Sequence, residues 1–266
     1  MEQATIEPIE TPIAHARSDD LIIRGYRQSE ICGNLTYTET LFLTVRGHLP
    51  TAAETKVFDA VLNGMIAYDI MPVARLVAAA SGEPWPAFAA TFMAGGKHTI
   101  FPQHCAELIE QSYEQMKKEN LSREEMAVKV AEKFDQEKEI LPGLGHPLYK
   151  KIDPRAAPIR RVAEKYGLIG EKTLHYEVIH TEYIKKSPRR VNLCINIDGR
   201  FACTLLDLDF TPAETSIMAV VSLVPGVTAD ISYQLQSKPN ILLMIGLPFK
   251  YVGPPERKLP KEYIRP

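Results

Sequence analysis

The chain has one tryptophan and four cysteines in 266 residues, and no two cysteines form a Cys-x-x-Cys pair. Cys32, Cys105, Cys194 and Cys203 lie far apart in apolar or helix-like surroundings. That argues against a disulfide framework or a zinc site and for free, buried thiols in a reducing compartment. An excess of one charge is also missing. Thirty-one Lys and Arg (31) face 33 Asp and Glu, a formal net charge of −2, so no global footprint for nucleic acid or an anionic membrane exists. No uninterrupted apolar run reaches the ~18 residues of a spanning helix, and the acidic N-terminal stretch lacks the apolar centre of a signal peptide. Repeats and low-complexity linkers are absent as well. With 45% hydrophobic and 24% charged positions, the expectation is a soluble, cytoplasmic, globular chain with a large core and neither a nucleic-acid nor a membrane partner.

Helix signals dominate what is present. Thr36 and Glu39, Thr51 and Glu54, Ser122 and Glu125, and Thr211 and Glu214 each have the spacing of a capping box, which marks four helix starts. The alanine-rich stretch 71–80 reads as a buried helix. Another starts near Trp85 and is expected to break at Gly95-Gly96, with a separate amphipathic helix from Gln103 to Glu119. Residues 1–20 read as an extended arm, and the proline-punctuated tail "KYVGPPERKLPKEYIRP" as a wrapping segment. The stretch "VNLCINIDGRFACTLLDLDF" has two readings, a β-hairpin turning at Asp198-Gly199 or a helix over its right half. The fold class is mainly α. The expected division is a large helical domain from residues 1–90 and 191–266 around a small helical domain at 91–190.

General acid–base chemistry near neutral pH favours histidine, and seven are present. His15 lies in the arm and His48 in a Gly-His-Leu-Pro turn; neither suggests a role. His175 and His180 are five apart and miss the i, i+4 ligand geometry, so no metal is expected. His98 and His104 flank the expected turn after the double glycine and carry no assignment. His146 differs. In "LPGLGHPLYKKIDPR", Gly143 and Gly145 leave backbone amides open to an anionic or carbonyl group, and Lys150, Lys151 and Arg155 supply cations. The same residues also fit a plain connecting turn facing water. Asp198 likewise reads as a turn former, with Asn196 able to share that role, or as a partly desolvated base.

These segments, in this order, resemble the citrate synthase family and its relatives citryl-CoA lyase and the C-terminal lyase portion of ATP-citrate lyase. "IIRGYRQSEICGNLTYTETLFLTVRGHLPTAAETKVFDAVL" is similar to the family's N-terminal pattern, and "GLGHPLYKKIDPR" to its Gly-x-Gly-His turn followed by an Asp-Pro-Arg arginine. "NIDG" resembles the motif holding its catalytic aspartate, and "YVGPPERKLP" its C-terminal tail. The resemblance implies a two-domain helical fold in a homo-oligomer, and carbon–carbon bond making or breaking beside an acyl-CoA thioester. It assigns the α-proton to Asp198, the partner's oxygen to His146 and a substrate carboxylate to Arg155. The backbone from Leu141 through Gly143, Leu144 and Gly145 would take the adenine side of coenzyme A, and Lys150 a CoA phosphate. CoA is then part of substrate or product, and no permanently bound cofactor is expected.

Departures from the family pattern fall on the acceptor side. Ile70 stands where an oxaloacetate-binding histidine is expected. Thr99 stands at the thioester-polarising histidine, with His98 one residue early. Ala229 and Leu247 replace two arginines, and Pro147 follows the turn histidine. Each lost grip would leave a buried substrate charge unpaired at about 2 to 5 kcal/mol, so the expected substrate is not ordinary citrate. Apolar Ile70, Ala229 and Leu247 would suit a less charged partner. The alternatives are an accessory subunit completing a hetero-oligomer with an active homologue, and a CoA-binding regulator.

Overall fold

A computed structural model describes residues 10–66, 71–236, 255, 257 and 258. The chain opens with a three-stranded antiparallel sheet, β1 (Ala14–Ala16), β2 (Leu21–Ile23) and β3 (Tyr26–Arg27). Ile23 pairs with Tyr26 across Arg24 and Gly25, whose φ angles of 49° and 90° make the tight two-residue turn that suits strand twist. The arm expected at residues 1–20 is thus partly β1 among the described residues.

The rest is helical: α1 (Gln28–Asn34), α2 (Tyr37–Arg46), α3 (Ala52–Gly64), α4 (Met71–Ser81), α5 (Pro84–Lys118), α6 (Arg123–Gln136), α7 (Ala156–Lys165), α8 (Glu171–Lys185), α9 (Ile197–Asp207) and α10 (Pro212–Gln236). The Thr36, Thr51 and Ser122 hydroxyls each accept the amide of the residue three on, while that residue's carboxylate accepts the cap amide. Thr211 and Glu214 exchange the same two bonds, at 3.2 and 2.7 Å. At the far end of α2, Gly47 takes φ 83° as C-cap, and Arg24 donates from Nε to Thr44 O at 2.9 Å. That cation meets the negative end of the helix dipole.

One sequence expectation fails in this layer. α5 does not break at Gly95-Gly96 but runs unbroken for 35 residues, through Pro102 and into the helix expected at 103–119. An interior glycine costs about 1 kcal/mol and proline forfeits a backbone bond. Packing of α5 against α10, α4 and α9 outweighs those local costs. α10 is long and apolar enough, by length and composition, to cross a membrane, although its Ser, Thr, Pro and Gly residues keep any continuous apolar run short. Its Met218, Ala219, Leu223, Val227 and Ile231 pack into the core.

α9 organises the interior. Every residue from Ile197 to Leu206 is buried. Ala202, Cys203 and Leu206 face a cluster built from α5, α6 and α8, while Ile197, Phe201 and Leu205 face a second cluster with α2, α3, α7 and α10. α9 therefore carries whatever its first turn presents on a rigid, doubly packed support. Cys105 and Cys203 are buried and Cys194 half-buried, but Cys32 is exposed on α1, so the expectation of four buried thiols fails there.

The last turn of α9 also starts α8. The α8 cap, Gly170, has no side chain, and Asp207 supplies the acceptor instead, taking Gly170 N and Lys172 N at 2.9 Å each. Removing it strands part-buried helix-end donors. Asp207→Ala is expected to destabilise the fold by about 2 kcal/mol, read from the midpoint of urea denaturation followed by circular dichroism; an unchanged midpoint would refute the capping role.

Candidate active site

The turn at 141–147 is locked to the segment before α9. Gly145 N donates to Cys194 O at 2.8 Å and Asn196 N to Gly143 O at 2.9 Å; Leu144 and Ile195 form an antiparallel bridge. The Asn196 side chain joins both pieces. Its Nδ2 donates to Gly145 O at 2.9 Å, and its Oδ1 accepts Gly199 N at 3.1 Å as the N-cap of α9. The hairpin reading at Asp198-Gly199 is thereby corrected: the Asn cap starts a helix, and Asp198 sits in its first turn. The reading of the glycines as open amides is corrected at Gly145, whose N–H is already bonded.

Close approach explains the glycines. Gly143 has φ +81°, and a Cβ there would lie 2.6 Å from Gly199 Cα and 2.9 Å from Cys105 Sγ. Tyr176, buried behind them, donates its hydroxyl to Pro142 O at 2.6 Å. The turn, α8 and α9 thus meet without space for side chains at 143 or 199.

His146 and Asp198 line one cleft of 370 Å³, together with Leu141, Gly143, Leu144, Gly145 and Asn196 and with Phe101, His104, Ile140, Pro142 and Pro147. His146 Nδ1 accepts the amides of Leu148 and Tyr149 at 3.1 and 3.3 Å, and the ring stacks on Tyr149 at 4.5 Å. With Nδ1 an acceptor, the proton of the neutral ring sits on Nε2. Asp198 is 6% exposed, and its Oδ1 is buried without a hydrogen-bond partner. Burial pushes its carboxyl up to about 7, with Arg155 opposing the shift and Asp153 adding to it. A buried carboxyl titrating near neutral pH at a cleft wall is suited to proton transfer.

Arg155 stands just behind this wall. It forms a forked pair with Asp153, Nε to Oδ1 at 3.0 Å and Nη2 to Oδ2 at 2.8 Å, and its guanidinium lies 5.4 Å from the Tyr149 ring centre. Asp153 also accepts Arg155 N at 2.9 Å and Ile197 N at 3.0 Å. One carboxylate, fully covered, thus ties the arginine to the residue before Asp198. Burial alone would raise the Asp153 carboxyl, but the bonds from Arg155 outweigh it and hold the group below its ordinary value. Sequence reading did not single out Asp153; an Asp two residues before a charged helix-start residue is a local turn signal that points to it.

The other expected residues are placed as follows. Lys150 is exposed and donates to His146 O at 3.2 Å, and neither it nor Arg155 lines the cleft. Ala229 is exposed on α10 and is not among the residues lining the cleft. His98 and Thr99 fall within α5, with side chains outside the described residues, and Ile70 and Leu247 lie outside the described residues altogether. His175 and His180 are taken up in packing. His175 bonds Ser112 Oγ at 2.9 Å and is lowered to about 4, chiefly by burial; His180 bonds Leu193 O at 2.7 Å.

Residues 71–243 match the family model described as citrate synthase, C-terminal domain. Comparison with curated protein sequences finds no match. Among solved structures, a citryl-CoA lyase from Hydrogenobacter thermophilus superposes with a TM-score of 0.82 at 24% identity, covering 96% of this chain and 98% of that one. The Methanosaeta concilii ATP citrate lyase, solved with (3S)-citryl-CoA, gives 0.73 at 14% identity over 93% of this chain and 42% of that one. The citrate synthase of Thermotoga maritima gives 0.58 at 15% identity, covering 98% of each chain. At these identities the likeness is one of fold.

Proposed function

The chain belongs to the citrate synthase family, and from that premise we propose that it makes or breaks a carbon–carbon bond beside a CoA thioester, in the manner of a citryl-CoA lyase. The observation that carries the reading is the pairing of His146 with a buried carboxyl raised to about 7, Asp198, on the walls of one cleft. In the bond-forming direction the Asp198 carboxylate takes the α-proton of the acyl-CoA, the α-carbon bonds to the partner's carbonyl carbon, and the oxygen that gains charge is held by a hydrogen bond from His146 Nε2–H while it takes a proton from solvent. In the cleaving direction the partner's hydroxyl loses its proton to solvent, the carbon–carbon bond breaks, and protonated Asp198 returns the proton to the thioester α-carbon. The backbone at Leu141 to Gly145 would seat the CoA end and Lys150 a CoA phosphate, with Arg155 holding a carboxylate of the partner once substrate displaces part of its pairing with Asp153.

Apolar Phe101, Ile140 and Leu144 in the lining, with no lysine or arginine among the described lining residues, favour a partner less charged than citrate. The purified protein is therefore expected to turn over a CoA thioester with a less charged acyl or keto partner faster than citryl-CoA, by about tenfold or more in kcat/KM. Mass spectrometry of a thioester panel reads this. Turnover of citryl-CoA as the best substrate would overturn the partner assignment, and inertness except beside a second homologous chain would favour the accessory subunit.

A further inference from the structure

A second cavity, of 340 Å³, shares no lining residue with the His146–Asp198 cleft. It lies between the first turn of α7 and the segment 194–195, and four basic residues line it: Lys151, Arg160, Arg161 and Arg200. Arg200 is 6% exposed, and its Nη2 meets Glu177 Oε1 at 2.8 Å. The same oxygen receives Arg160 Nε at 2.8 Å, so one carboxylate serves two guanidinium groups. Arg160 Nη1 is buried without a hydrogen bond, with Glu164 Oε2 3.4 Å away. Among the described residues, neither Lys151 nor Arg161 has a carboxylate partner. Asp153 also lines the cavity, but its carboxylate is fully covered and committed to Arg155 and Ile197 N. The amides of Ala156 and Ala157 are committed as well, to Asp153 O at 3.2 and 3.1 Å. What the cavity offers is therefore undercompensated positive side-chain charge, on a chain whose net charge is −2.

Guanidinium groups that share one acid and sit largely out of water are stabilised by a further anion, and their planar forks match phosphate oxygens. We propose that this cavity binds the phosphate group of a small phosphorylated ligand, at a site separate from the one that takes the acyl-CoA. It stands apart from the acyl-CoA reading, because a protein inert toward thioesters would still bind phosphate here.

Calorimetric titration of the full chain with pyrophosphate, alone and with saturating CoA, tests this. The expected result is saturable binding with a Kd of about 1 mM or tighter, unaffected by CoA. The double substitution Lys151→Gln and Arg161→Gln changes two exposed side chains and should weaken pyrophosphate binding about tenfold or more, with CoA affinity and circular dichroism unchanged. Three results would overturn the proposal: no saturable binding, wild-type binding by the double variant, or displacement of pyrophosphate by CoA. The last would assign these cations to the phosphates of CoA itself.

Discussion

Asp198→Asn is expected to lower turnover by about 10²- to 10⁴-fold, the usual share of a positioned acid or base, while making the protein more stable at alkaline pH. Both effects come from the same buried carboxyl. Burial raises Asp198 from an ordinary 3.8 to about 7, so the folded chain holds the proton more tightly than the unfolded one. Such a group adds stability below the ordinary carboxylate range and loses it as pH rises through about 7. Asparagine keeps the shape and has no proton to lose. The variant should therefore match the parent below about pH 4 and exceed it by up to about 4 kcal/mol at pH 8. Urea denaturation at the two pH values measures this, and a gap that does not grow with pH would contradict the buried charge.

The same titration gives the reaction a direction. Bond formation needs Asp198 ionised, so turnover should rise through about pH 7; cleavage needs it protonated, so turnover should fall over the same range. A profile without either limb would remove Asp198 from the chemistry even if its loss were damaging.

Legibility in the sequence followed the range of the forces involved. The capping boxes at Thr36, Thr51, Ser122 and Thr211 were readable because both partners lie within one turn. α5 was misread at Gly95-Gly96 because its continuity is decided largely by packing against α10, which lies far away in sequence. At Asp198-Gly199 two local signals competed, a hairpin turn and an asparagine cap. The cap won because Asn196 is also held by Gly143 and Gly145, contacts invisible from the stretch alone. That His146 and Asp198 share a cleft was foreshadowed only by family resemblance, since no local pattern links the two segments. The glycines of the turn have reasons the stretch alone did not show: Gly143 is needed for close packing against α9, and the Gly145 N–H is taken by Cys194 O.

Asp153 is where fold and chemistry are most tightly joined, and Asp153→Ala is expected to be the most destabilising single change near the cleft. It would strip Ile197 N of its acceptor at the start of α9 and Arg155 of both arms of its fork. Removing one partner of such a covered pair costs about 3 to 5 kcal/mol, visible as a lower denaturation midpoint. A purely structural loss would stop there. Asp153→Asn separates the two roles, because its side-chain oxygen can still accept Ile197 N while the negative charge is gone. Asp153 raises the Asp198 carboxyl and Arg155 lowers it, so removing the acid and unmasking the arginine act in the same direction. The titration limb near pH 7 should therefore move to lower pH in Asp153→Asn, with most of the stability retained. A limb that stays near 7 would mean that Asp153 holds the turn in place without tuning the base beside it.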